Sequence, residues 1–145
     1  MGLDQAMEIS VSAIEAERKR MEVISSNIAN INTTRSMDGG PYRRKIAVLG
    51  ERPLSFYEEL ALANEKLYKK EGGVAVMEIV EDKTPFQKVY NPSHPDADKD
   101  GMVRMPNVNL SKEMVDMIQS SKMYETNVTV YNIAKKMAQD TLQIQ

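Results

Sequence analysis

The chain has 145 residues, 41% of them hydrophobic and 28% charged, with a formal net charge of −2 and a sequence pI of about 5.5. That length suits one domain, or a helical stem with a small module, and the mild acidity supplies no global field for nucleic acid or anionic lipid. The absence of Cys excludes disulfides and thiolate chemistry.

Met1 to Gln5 has neither a basic n-region nor an apolar h-region, so no Sec-type signal peptide is expected. No apolar run approaches the ~20 residues of a membrane span. From there Met7, Ile14, Met21 and Ile28 recur every seven residues, with Leu3, Ile24 and Ile31 on the neighbouring stripe. This a/d spacing predicts a long helix from about Leu3 to Asn30 that buries a narrow seam. Polar Ser10 and Glu17 weaken that seam at two d positions. The Asn-, Ser- and Thr-rich run Ser25 to Thr34 favours termination, because those side chains compete for backbone hydrogen bonds.

Met37 to Pro41 reads as a turn, and Tyr42 to Leu49 as a strand with Tyr42, Arg44, Ile46 and Val48 on one face. Leu54 to Lys70 has the spacing of a short helix that Gly72 and Gly73 stop. Val74 to Val80 and Phe86 to Tyr90 are two further strands. Asn91 to Pro106, rich in Pro and Asp, is expected to be irregular. Asn109 or Ser111 can cap the last helix, with Leu110 and Val115 suited to a staple around Ser111. That helix runs to about Leu142, and Leu110, Met117, Tyr124, Tyr131 and Ala138 recur every seven residues beside Met114, Ser121, Val128 and Leu142.

The fold expected is mainly α with a small β module. Long N- and C-terminal helices pack as an antiparallel coiled-coil-like pair, with an irregular β-containing segment between them. The segments are 1–33, 34–107 and 108–145. Seam burial alone does not repay the entropy of ordering two such helices, so the termini are expected to be largely disordered in a lone chain and helical in an assembly. Eleven Met against two Phe and no Trp suit either pliable core or surfaces that adapt to neighbours.

Candidate chemistry is sparse. Asp96 to Gly101 matches the first half of a calcium loop, but position twelve is Asn107 rather than Glu, and a solvated turn is the better reading. His94 is the sole histidine and lacks metal-ligand spacing to a second donor. Arg35, Arg43, Arg44 and Lys45 form a basic cluster, yet Tyr42 alone is too little aromatic surface for a nucleic-acid platform. Acidic faces of neighbouring subunits are the expected partners of that cluster. Asn27, Asn30, Asn32 and Asn127 are either surface polar residues or buried amides that fix helix register. No constellation of acid, base and nucleophile emerges, so no catalytic, cofactor or metal site is expected.

Several blocks then share one resemblance: MEVISSNIANINTT at 21–34, GGPYRRK at 39–45, GGV with IVED and PFQKVY across 72–90, NPSHPDADKDGMVRMPNVN at 91–109, and EMVDMI with YETNVTVYN and AKKM across 113–137. In that order they resemble the bacterial flagellar axial proteins, and specifically the proximal-rod proteins of the FlgC family. Glu51 to Glu71 carries no motif of that family. The resemblance implies a structural subunit without cofactor, exported unfolded by the flagellar type III apparatus, located in the periplasmic rod, and joined to copies of itself and other rod proteins. It implies no nucleic acid and no membrane insertion.

In that frame Met7, Ile14, Met21, Ile24, Ile28, Ile31, Met117, Tyr124, Val128 and Tyr131 are the expected helical seam between subunits. Asn27, Asn30, Asn32 and Asn127 are the polar register set. Tyr42, Arg43, Arg44, Lys45, His94, Asp96, Asp98, Asn107 and Asn109 are the expected loop and basic contacts. Another rod component of the same superfamily is the near alternative, and a small calcium- or nucleic-acid-binding module the distant one.

Overall fold

A computed structural model describes residues 2–37, 39–53, 59–60 and 72–143. Helix α1 spans Leu3–Ala29 and helix α2 spans Leu110–Gln143, about 40 Å and 51 Å long at 1.5 Å per residue. Between them strand β1 (Lys45–Glu51) pairs antiparallel with β2 (Val74–Glu81), and β3 (Gln87–Tyr90) pairs antiparallel with β4 (Met102–Met105). The helices pack on one another and run antiparallel, since Asn27 meets Glu113 while Glu17 meets Ser120.

Each helix ends where its sequence provides a cap. Asn30 closes α1: its Nδ2 donates to the Ser26 carbonyl at 2.8 Å, and its Oδ1 accepts from Thr33 Oγ1 at 3.1 Å. Asn109 opens α2, its Oδ1 accepting from the Lys112 N–H at 3.1 Å, as an N-cap does for the third helical residue. The expected staple around Ser111 therefore does not form, because the cap lies two residues earlier. The polar d positions of α1 are among its most buried residues. Ser10 donates to the Ala6 carbonyl at 2.8 Å, and Glu17 Oε2 accepts from the buried Ser120 hydroxyl at 2.8 Å.

The first hairpin lies along α1. The Val74 N–H donates to Ser12 Oγ at 3.0 Å, and a Cβ on Gly73 would stand 1.9 Å from that same oxygen. Only a residue without a side chain lets the strand approach the helix so closely.

Two sequence expectations need correction. The first strand begins at Lys45 rather than Tyr42, because Tyr42 to Arg44 turn toward the helix junction instead of joining the ladder. Its one-face pattern also breaks at the irregularity between Val48 and Leu49, which leaves Val48 exposed. The Asn91 to Pro106 stretch is irregular only as far as Gly101. Its last part, MVRM, is a strand with Val103 buried, and four residues are too few to betray a period. The expected helix within Leu54 to Lys70 lies outside the described residues except for Glu59 and Leu60, which are helical.

Candidate functional site

Among the described residues, hydrogen bonds concentrate at the junction of α1, β1 and α2. Asn27, 1% exposed, makes four hydrogen bonds there. Its Nδ2 donates to the Lys45 carbonyl at 2.8 Å and to Glu113 Oε2 at 2.9 Å. Its Oδ1 accepts from the Lys45 N–H at 2.9 Å and from the Tyr42 hydroxyl at 3.0 Å. Two donors and two lone pairs are all that a carboxamide has, and all four are used.

Glu113 is fully buried, and its other oxygen accepts from Arg44 Nε at 2.6 Å. The rest of the Arg44 fork reaches Asp116 at 3.3 Å and Asp82 at 3.6 Å. One planar cation thus ties α2 to the turn after β2, the kind of geometry for which guanidinium is suited and ammonium is not. Below it Asn107 accepts from the Arg44 N–H at 2.8 Å, and its Nδ2 lies within bonding distance of Asp82 and Thr84 oxygens. Hydrogen bonds from the backbone and then the hydroxyl of Thr84 hold the Asp82 carboxyl below the usual carboxylate range, with Arg44 adding to the effect. Among the described residues no buried side-chain polar atom lacks a partner.

A second, half-buried clamp joins the segment after α1 to the β3–β4 loop. Asp96 accepts from Thr34 Oγ1 at 2.7 Å and pairs with Arg35. Its carboxyl is held below the usual range, first by the Thr34 bond and then by Arg35. The Asp96 N–H donates to His94 Nδ1 at 3.1 Å, so that ring nitrogen serves as an acceptor. Asp98 Oδ1 is taken by the Lys99 N–H.

The outward side of α2 carries uncovered apolar residues among charged ones. Met114, Ile118, Met123, Val130, Ile133 and Met137 are all exposed, Ile118 to 68% and Ile133 to 55%. Among the described residues no helix is apolar enough to cross a membrane, and no cluster of potential ligands could hold a metal ion. What this arrangement offers is a closely bonded junction and exposed apolar contact area.

Comparison with known proteins decides the family. A model of the flagella basal body rod protein family matches residues 7–35, and a model of the flagellar basal body rod FlgEFG protein C-terminal region matches residues 99–144. Along nearly the whole chain the sequence is 43% identical to the flagellar basal-body rod protein FlgC of Borreliella burgdorferi, covering 99% of this chain and 98% of that one. It is 41% identical to FlgC of Bacillus subtilis (96% and 95% covered) and 37% identical to FlgC of Salmonella typhimurium (98% and 97%). The chain belongs to the FlgC family of flagellar basal-body rod proteins.

FlgC-family proteins are structural rod subunits of the basal body, not enzymes. In this member Met7, Ile14, Met21, Ile28 and Ile31 are half-buried along α1, beside buried Ile24. Met117, Tyr124, Val128 and Tyr131 are half-buried on the side of α2 that carries Glu113 and Ser120, and so are turned toward α1 of the same chain.

Of the four amides only Asn27 bridges separate elements. Asn30 caps its own helix, Asn127 donates to the Met123 carbonyl one turn back, and Asn32 is exposed. The acidic partners expected for Arg44 on a neighbouring subunit lie in its own chain, because folding brings Asp82, Glu113 and Asp116 around it. Arg43 sits over the Phe86 ring at 4.4 Å and donates to the Asp82 carbonyl, while the Lys45 ammonium stands 5.9 Å from the Tyr42 ring centre. Glu113 was not among the residues singled out from sequence. The only signal for it is its place in the seven-residue series Glu113, Ser120, Asn127 and Ala134, whose small and polar members conceal a buried stripe.

Proposed function

We propose that this chain is a subunit of the proximal part of the rod, in the torque-transmitting drive shaft. It reaches the periplasm unfolded through the flagellar type III apparatus and assembles with copies of itself and other rod proteins. Segments 1–33 and 108–145 form an inner tubular layer, and 34–107 makes lateral and axial contacts outside it. The seam residues named from sequence pack α1 on α2 within each subunit, the exposed apolar residues of α2 extend that packing to neighbours, and Tyr42, Arg44, Asp96 and Asn107 brace the subunit internally.

The observation that carries this reading is the uncovered apolar side of α2. A helix already packed on its own chain has no use for a second apolar face unless another molecule covers it. Aspartate at Ile118 and Ile133 tests it. Both side chains point away from α1, so the folded chain keeps its helical circular dichroism while basal-body yield and swimming are lost. Normal swimming with both substitutions in place would rule the reading out.

A further inference from the structure

The β3–β4 ribbon turns one face to the body and the other to solvent. Val103 is 2% exposed, and Val89 lies opposite it on the inward side. Side chains alternate along a strand, so Lys88 and Tyr90 of β3 share the outward face with Arg104 of β4. In the register Lys88 stands directly opposite Arg104. Both are exposed, and among the described residues neither meets a carboxylate. Two cations about 5 Å apart at Cβ repel one another, so the pair weakens the ribbon that carries it.

Tyr90 continues this face. It is 69% exposed, yet its ring lies against the chain: a Cβ on Gly101 would stand 2.9 Å from Cε2 of Tyr90 and 3.2 Å from Cβ of Pro92. Gly101 has φ +70°, and its missing side chain makes room for the ring. The aromatic is thus held in place about 7 Å along the strand from the two cations. A ring already held loses little freedom when a partner covers it.

We infer, on the basis of the rod reading above, that this face receives an acidic segment of a different rod protein. Carboxylates of the segment bridge Lys88 and Arg104, and an apolar side chain about two residues along lies on the Tyr90 ring. The bridge removes a repulsion that the free subunit carries. A second copy of this chain is less complementary. Its strand acids Glu51, Glu78 and Glu81 are not neighbours, and its helix acids Glu22 and Glu125 already pair with Arg18 and Lys122.

K88E separates docking from folding, because it places a carboxylate opposite Arg104 and makes the cross-strand pair attractive. The urea midpoint of the purified chain should hold or rise. When differently tagged parent and K88E chains are expressed together, the variant should be lost from purified basal bodies, whereas K88R should be retained. Equal incorporation of K88E, or a lowered midpoint, would overturn the inference while the rod reading stands. Photo-cross-linking from Tyr90→p-benzoylphenylalanine in basal bodies, with the linked peptide sequenced by mass spectrometry, identifies the occupant. A peptide of another rod protein with two or more Asp or Glu beside the linked residue is expected. A link to a second copy, to cell-wall glycan or to a peptide without acids would overturn the inference alone, as would no link although the chain is present. Absence of the parent chain from basal bodies would overturn both.

Discussion

Asn27 on α1 donates a hydrogen bond to Glu113 on α2 at 2.9 Å, across 86 residues of sequence, and both side chains are almost wholly removed from solvent. That bond fixes how far the two helices can slide past one another. The remaining Asn27 bonds attach Tyr42 and the start of β1 to the same point.

Asn27→Ala should therefore cost about 3 kcal/mol, since it strands several buried partners at ~1 kcal/mol or more each. Asn27→Asp should cost at least as much, because it faces a second carboxylate on Glu113. Adding Glu113→Gln to Asn27→Asp should recover part of that loss. Urea titration of the purified variants, followed by circular dichroism, measures all three. A double variant no more stable than Asn27→Asp would contradict the direct coupling.

Arg44→Lys keeps the charge but loses the fork. A single ammonium cannot reach Glu113, Asp82 and Asp116 together, so a loss of about 1–3 kcal/mol is expected. A urea midpoint unchanged from the parent would show that the geometry of Arg44 is irrelevant.

Gly73→Ala should push the first hairpin off α1, because the new methyl would collide with Ser12. Ser12→Gly on the other side of the contact should relieve the collision, less the ~1 kcal/mol that Gly costs inside a helix. Amide hydrogen exchange along β2 reads the outcome: faster in the single variant and recovered in the double.

The Asp96 clamp is acid-sensitive. Its folded carboxyl lies below the ordinary value of about 3.9, chiefly through the Thr34 hydrogen bond, so folding favours the ionised form. The stabilisation is complete above the unfolded value and is lost as pH falls through the folded one. The Asp96 carboxyl carbon and the Thr34 hydroxyl bonded to it should thus change their chemical shifts as pH falls below about 4. Asp96→Asn should remove that movement.

The sequence was most legible where one type of force acts at one period. Met7, Ile14, Met21 and Ile28 announce α1 because apolar burial repeats with the helix, and Asn30 and Asn109 mark helix ends through chemistry local to them. Glu113 was illegible for the opposite reason. A Glu in the first turn of a helix reads as a solvated, dipole-favoured residue, and its burial depends on Arg44, 69 residues away. Arg44 itself was hidden in a run of three cations that sequence treats alike and the fold separates completely. Seven-residue spacing also shows that α2 has an inward side, but not that its partner there is α1 of the same chain. Beyond Ala134 most side chains of α2 are exposed.

The central claim is that this chain builds the rod wall with its two helices. High-resolution electron cryomicroscopy of intact basal bodies addresses it directly. Density for α1 and α2 is expected in the inner tube at the membrane-proximal end of the rod, with Met123, Val130, Ile133 and Met137 covered by a neighbouring subunit. Those four side chains facing open solvent in the assembled rod, or the chain missing from it, would contradict the account.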